Sequence, residues 1–429
     1  MDLSTPRGMR DFLPGEMAAR ERVFSTVRRV YSLYGFPPME TPALESVPVL
    51  TAKCGDDVAK QVFRVQDSDL GLRFDLTVPL ARAVAGNSSL AKPFKRCCVA
   101  RVWRREEPQK GRFREFWQAD ADIIGSASMR CEAELLAAAC DALSALGFTG
   151  AKIRVNSRKL LSAAMEKLGL PPEKEFAVFR SLDKLEKIGA EGVGKELAGK
   201  GFSEAEIAGL LSFGEIRGSS AEKISGAREL LAGAGRAEEG LEELEEILSL
   251  FSGYAASRAC GIEVDFALVR GLDYYTGPIF EISAGKGGVG SLAGGGRYDD
   301  LIALYGAPPT PAVGISLGIE RILELLKAQA GDSGAAPASR VFVAPVKPEF
   351  YPCALSALQE FRAAGVPAEI DLMERSLRKQ LDYANSSGIP FAAIVGEREK
   401  KEGKVTLRNL ESGEEKLVSA SDAAKSIST

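Results

Sequence analysis

The stretch RVWRREEPQKGRFREFWQADADIIG, Arg101 to Gly125, holds two extended runs joined by the loop EEPQKG. Pro108 and Gly111 are turn residues, so the runs are expected to fold back as an antiparallel pair with a long connection. Along the second run a period of two sends Trp117, Ala119, Ala121 and Ile123 to one face. Phe116, Gln118, Asp120 and Asp122 go to the other, which offers a ring, an amide and carboxylates. Arg101, Arg104 and Arg105 close the first run, and Arg112 and Arg114 open the second. A guanidinium is always charged and forks onto phosphate or carboxylate. A solvated strand would also alternate, but arginines converging beside acceptors and a ring suggest a nucleotide and a cationic or amine-bearing partner.

Outward from this hairpin, 429 residues exceed one common domain, so two or three are expected. No run approaches the roughly 20 apolar residues of a membrane span, and the N-terminus carries acids and prolines where a signal peptide would be apolar. A cytoplasmic protein is expected. Seven cysteines without a C-x-x-C spacing argue against a disulfide framework and a zinc site. The chain contains no histidine, which removes Ser-His-Asp and Cys-His triads and histidine bases. Gly285, Gly287 and Gly290 spell G-x-G-x-x-G, but between a strand and more glycine, which is not the opening of a βαβ helix. No G-x-x-x-x-G-K-[ST] occurs, so arginines would have to hold any nucleotide.

Apolar spacing predicts a helix from Glu16 to Tyr34 ending at Gly35. QVFRV (Gln61–Val65) and LRFDL (Leu72–Leu76) read as a hairpin, CCVARVW (Cys97–Trp103) and KIRVN (Lys152–Asn156) as strands, and Arg130 to Leu146 as a helix. From Lys159 to about Tyr254 the composition turns to Ala, Leu, Glu and Lys, an inserted helical domain. Strand character resumes in IEVDFALVRG (Ile262–Gly271), PIFEIS and AVGISLG, the last running into IERILELLK. After the small-residue linker AGDSGAAPAS, strand and helix alternate in a final α/β domain. The expected class is α+β: an antiparallel sheet catalytic domain flanked by helices (1–158 and 256–329), a helical insertion (159–255), a linker (330–339) and a C-terminal α/β domain (340–429).

Five segments in order resemble histidyl-tRNA synthetases, a family of class II aminoacyl-tRNA synthetases, over essentially the full length. RGMRDFLPGE with GFPPMETPALE resembles the first class motif, Pro42 being its proline. VARVWRREEPQKGRFREFWQADADIIG resembles the second, and AVGISLGIERIL the third, with Arg321 as its arginine. LVRGLDYYTGPIFEI and GGGRYDDLI resemble two signatures peculiar to the histidyl enzymes and their paralogues.

The resemblance implies that histidine's carboxylate attacks the α-phosphate of ATP, with Mg2+ bound to the nucleotide, before tRNA(His) takes the aminoacyl group at its 3′ end. It assigns Arg104, Arg270 and Arg321 to catalysis. Asp75, Thr77 and Gln118 would bind the α-amino group, Asp122 and Tyr275 with Tyr274 alongside would surround the imidazole, and Arg104 and Arg270 would meet the rest of the histidine. ATP would lie against Arg104, Glu106, Arg112, Phe116 and Arg321. Asp120 and Glu281 either complete hydrogen-bond networks or serve the site. Gly294 to Gly296 read as a close backbone approach to ligand or a tight turn. Arg105, Lys110, Arg112 and Arg114 would meet acceptor-stem phosphates or form a solvated loop, and MERSLRKQLDYANSSG resembles the anticodon-binding domain, with Arg375, Arg378 and Lys379 near RNA or simply solvated. A homodimer is expected from the first motif. The rival readings are a synthetase-like regulator, an uncharged-tRNA sensor, and another adenylating ligase; the last leaves LVRGLDYYTG unexplained.

Overall fold

A computed structural model describes residues 3–52, 59–109, 111–269, 274–285, 290–330 and 338–428. The chain divides into two compact units, Met1–Asp11 with Arg20–Gly331, and Phe12–Ala19 with Asp332–Thr429.

In the first unit a small antiparallel ribbon pairs β1 (Leu44–Ser46) with β2 (Leu70–Leu72). Leu72 N donates to Phe63 O and Val65 N to Leu70 O, so the expected hairpin around DSDLG forms. Its second arm ends at Leu72, because the chain turns at Phe74 and Asp75 to enter a helix, Thr77–Ala85, that the sequence reading missed. Asp75 Oδ1 accepts from Val78 N at 3.0 Å, capping that helix with a side chain read earlier only as a ligand group.

The main sheet has seven strands among the described residues: β3 (Phe94–Trp103), β4 (Glu115–Ile124), β5 (Ala151–Ser157), β6 (Cys260–Val264), β7 (Pro278–Ser283), β8 (Ser291–Arg297) and β9 (Ala312–Gly318). Their order is β3-β4-β9-β8-β7-β5-β6, antiparallel except for the β5–β6 pair. The hairpin of the opening stretch is β3–β4, in register from Phe94 opposite Ile124 to Trp103 opposite Glu115. Arg112 and Arg114 precede the strand they were expected to open; Arg112 instead bridges Gln109 within the loop. β6 stops at Val264, short of the expected run to Gly271, where Asp265 Oδ1 accepts from Ala267 N in a tight turn.

The helix Pro14–Leu33 buries Val23, Phe24, Val27, Val30 and Tyr31 behind the sheet. On that side the alternate residues of β4 are packed: Ala119 and Ala121 are fully buried, and the Trp117 ring lies 4.5 Å from that of Phe24. Helices Arg158–Lys167, Glu175–Leu182, Leu185–Gly199, Glu204–Gly214, Ser220–Leu230 and Ala237–Ser252 fill the helical segment, and all belong to the same compact unit as the sheet. Gly294 to Gly296 lie within β8 and form no turn; a Cβ on Gly295 would stand 2.0 Å from Gly314 O, so neighbouring strands require glycine there.

In the second unit, β10 (Val341–Pro345), β11 (Ala368–Ile370), β12 (Phe391–Val395), β13 (Val405–Asn409) and β14 (Glu415–Val418) form a mixed sheet in the order β11-β10-β12-β13-β14. Helices Tyr351–Ala363 and Ala420–Ser428 bury Ala354, Leu358, Phe361 and Ala423 against it. Most of the expected linker lies outside the described residues.

Candidate active site

The polar residues of β4 fall at alternate positions, so the strand's pleat alone delivers Phe116, Gln118, Asp120 and Asp122 to one cleft of about 810 Å3. Register continues the polar row: Asp120 faces Ser316 on β9, Ser316 faces Gly294 on β8, Gly294 faces Glu281 on β7, and Glu281 faces Arg154 on β5. Glycines at 294, 314 and 318 keep the floor open, and a Cβ on Gly314 would lie 2.1 Å from Asp122 Oδ1.

Asp122 is buried and engaged. Tyr298 Oη donates to its Oδ1 at 2.5 Å, and Arg96 Nη2 stands 2.9 Å from Oδ2. That contact is an ion pair lying off the line of a hydrogen bond, so Oδ2 keeps an open acceptor position. Burial raises the Asp122 pKa and Arg96 works against it. Burial would lower the Arg96 pKa, but Asp122 and Asp120 outweigh it and hold that pKa above its ordinary value. Asp75 is also buried and its pKa raised by burial, against hydrogen bonds from the backbone of Val78; Tyr274 Oη donates to its Oδ2 at 3.4 Å. Thr77, the first residue of the helix that Asp75 caps, also lines the cleft.

Gln118 Nε2 donates to Ser316 Oγ at 2.8 Å, leaving Gln118 Oε1 buried without a partner. Ser316, its oxygen occupied by Gln118, can turn its hydrogen to Asp120. Tyr274 and Tyr275 pack edge to face at 5.0 Å, and Tyr298 lies 5.9 Å from Tyr274.

Arg104, Arg112 and Arg321 line the cleft with Glu106. Arg104 Nε donates to Phe74 O at 2.9 Å and its guanidinium lies 5.1 Å from the Phe116 ring, so backbone and ring both hold it. Arg321 Nη1 donates to Ser291 O at 2.8 Å. Its helix, Ile319–Ala330, is fixed through Glu320, which takes Arg20 at 2.6 Å and Trp117 N at 3.3 Å. Arg112 stands 3.7 Å from Glu106 and Arg114 3.7 Å from Glu107. Arg101 turns to the opposite face, over Trp117 at 5.3 Å, and so leaves the cluster the sequence suggested. Arg270 and Lys110 lie outside the described residues.

Three residues of this site had no role in the sequence reading. Arg96 lies in the part of β3 that precedes the expected strand Cys97–Trp103, and Tyr298 lay in plain view within GGGRYDDLI without an assigned partner. Ser316 is visible only through register, since a serine in AVGISLG carries no signal by itself.

An antiparallel sheet with arginines at the cleft rim and carboxylates on its floor is the architecture of the class II aminoacyl-tRNA synthetases. The family model for histidyl-tRNA synthetase matches residues 8–322 and that for an anticodon binding domain residues 340–429. The chain belongs to the histidyl-tRNA synthetase family. It is 40% identical to a histidine–tRNA ligase of Aeropyrum pernix, over 98% of this chain and 97% of that one. A histidine–tRNA ligase of Bacteroides fragilis is 38% identical, with 97% of both covered. The crystal structure of histidyl-tRNA synthetase from Nostoc sp. PCC 7120 superimposes with a TM-score of 0.86 at 31% identity, covering 100% of this chain and 99% of that one. A structure described as an ATP phosphoribosyltransferase regulatory subunit/histidyl-tRNA synthetase from Bacillus halodurans gives 0.75 at 25% identity, over 92% and 98%.

Proposed function

We propose that this cleft activates L-histidine and transfers it to tRNA(His), the reaction of a histidine–tRNA ligase. A histidine carboxylate oxygen forms a bond to the α-phosphorus of ATP while the bond to the β-phosphate bridging oxygen breaks, releasing pyrophosphate. A terminal ribose hydroxyl of tRNA then attacks the histidyl carbonyl and AMP leaves. The first step needs no protein base, which suits a chain without histidine. What it needs is alignment and stabilisation of the negative charge that develops on the phosphate oxygens.

Arg104, held by Phe74 O and Phe116, is the residue for the α-phosphate and the substrate carboxylate. Arg270 joins it by motif position, and Arg321, on its anchored helix, takes the far phosphates. Phe116 offers its face to adenine, with Glu106 and Arg112 alongside. Asp75, Thr77 and Gln118 take the α-amino group; Asp122, Tyr274 and Tyr275 enclose the imidazole, Asp122 through its still open Oδ2. Mg2+ would enter with ATP and offset phosphate charge, and Glu106, which lines the cleft, would be the carboxylate to meet it.

The observation that carries this reading is the row of buried acceptors on β4 facing the same cleft as Arg104 and Arg321. An amino acid brings donors for the row and a carboxylate for the arginines. The second unit supplies the anticodon contact, with Arg375 over Tyr383 at 4.4 Å and Arg378 and Lys379 exposed. We further propose a cytoplasmic homodimer; among the described residues no helix is long and apolar enough to cross a membrane.

The test is exchange of labelled pyrophosphate into ATP with each amino acid in turn. Exchange with histidine alone, followed by charging of tRNA(His), is expected. Folded, tRNA-binding protein without exchange would select the regulator or sensor instead.

A further inference from the structure

Three carboxylates, Asp75, Asp120 and Asp122, stand in the floor of one cleft and are 97% buried or more. Asp122 has Tyr298 and Arg96, and Asp75 has the helix start and Tyr274. Asp120 Oδ1 has no hydrogen-bond partner, although burying an acceptor unpaired is costly. Its surroundings are settled by register: Cys98 opposite on β3 beside Arg96, Ser316 opposite on β9, and Gln118 and Asp122 two residues either way on β4. Asp75 acts on it electrostatically from the segment before the helix Thr77–Ala85, as Tyr298 does from beyond β8 and Tyr31 from behind the sheet. Among the described residues the guanidinium that acts on Asp120 is that of Arg96, which already pairs with Asp122, while Arg104 acts on Asp75 from the cleft and Arg154 pairs with Glu281. A neutral imidazole does not balance such a floor; an ammonium does, and it brings three donors.

We propose that Asp120 binds the α-ammonium group of histidine, its unpartnered Oδ1 accepting one N–H while Asp75 and Gln118 Oε1 take the others. The proposal rests on the histidine–tRNA ligase reading and adds to it a residue to which the family resemblance gave no role. Asp120 thereby selects for the amino group, and the imidazole is left to Asp122 and the tyrosines. Burial, opposed by Arg96 and reinforced by Asp122, pushes the Asp120 pKa up to about 7. A bound cation lowers it again, so binding expels a proton. Affinity is therefore full above pH 7 and falls as the pH drops through that value.

The experiment uses the full chain and two probes: histidinol, which keeps the ammonium and lacks the carboxylate, and imidazolepropionate, which lacks the ammonium. Inhibition of histidine-dependent exchange is measured on wild type and Asp120→Asn. The substitution is expected to weaken histidinol about 10- to 100-fold, the worth of a hydrogen bond to a charged group. Imidazolepropionate should change by less than about two-fold, because a lost charge–charge contact matters only where the ligand carries the charge. Calorimetry of histidinol binding near pH 7 in buffers of different ionisation enthalpy should find proton release by wild type beyond that of the variant. Equal losses for both probes, or none, overturn the proposal. If the variant does not fold, wild type decides alone: no proton release beyond histidinol's own titration overturns it. Absence of histidine-dependent exchange in wild type overturns the parent reading instead, which keeps the two failures apart.

Discussion

Replacing Arg96 by Met removes the cation paired with Asp122 while keeping most of the aliphatic stem. Arg96 is 2% exposed and its Nη2 lies 2.9 Å from Asp122 Oδ2. At an effective dielectric near 20 that contact has a gross Coulomb energy of about 6 kcal/mol, much of it offset by the desolvation of both charges. The loss on breaking it is larger than the net worth of the pair, since Asp122 and Asp120 stay behind as facing acids. About 3–5 kcal/mol of unfolding free energy should go at pH 7.5. The sign with pH follows: without Arg96 the folded-state pKa values of these acids rise further above the unfolded value. The penalty is therefore full above the folded pKa and shrinks as the pH falls toward the unfolded one, about 3.9. The variant should recover stability relative to wild type between pH 7.5 and 5, and Arg96→Met/Asp122→Asn should regain more than half the loss at pH 7.5. Both tryptophans of the chain, Trp103 and Trp117, lie in β3 and β4, so their fluorescence in urea follows this unit alone. A loss below about 0.5 kcal/mol, within the range of an ordinary surface change, or one independent of pH, would refute the account of the floor.

Gly314→Ala places a methyl where Asp122 Oδ1 now lies, 2.1 Å from the ideal Cβ; KM for histidine should rise at least about ten-fold with KM for ATP nearly unchanged, and stability should fall by about 1–3 kcal/mol. Phe116→Ala removes the ring beneath Arg104, and KM for ATP should rise about 5- to 100-fold, the range for losing one base stack; an unchanged value would move adenine elsewhere. Arg270→Ala should abolish histidine-dependent exchange while leaving the fluorescence midpoint in urea unaltered, whereas an equal loss of both would make it a structural residue. Tyr298→Phe leaves Asp122 short of a donor, which raises the carboxyl pKa further, and as the pH is lowered KM for histidine should begin to climb at a higher pH than in wild type.

Strand β4 was legible because its two requirements, an apolar back and a polar front, are written at a period of two. Ala119, Ala121 and Ile123 pack behind it, and Phe116, Gln118, Asp120 and Asp122 face the cleft. Helices with strong apolar spacing, such as Pro14–Leu33, were equally plain. The helix Thr77–Ala85 was not, since TVPLARAVA begins with β-branched residues and proline, and what starts it is the Asp75 side chain on Val78 N. Arg96 and Ser316 escaped because their meaning is set by partners about 26 residues and about 200 residues away, and pairing across such separations leaves no local trace. Arg101 looked like Arg104, but the two are three residues apart, an odd step that puts Arg101 on the opposite face of the strand.

The strand order has a consequence for how the protein is made. β4 emerges from the ribosome beside β3, but its other edge waits for β9, roughly 190 residues later, which at usual synthesis rates is about 10–40 s. Throughout that interval the nascent hairpin carries an open edge on the strand that holds Asp120 and Asp122. Inward-pointing acids disfavour edge-to-edge pairing, so Asp120 and Asp122 are placed to count against a wrong partner strand during that wait.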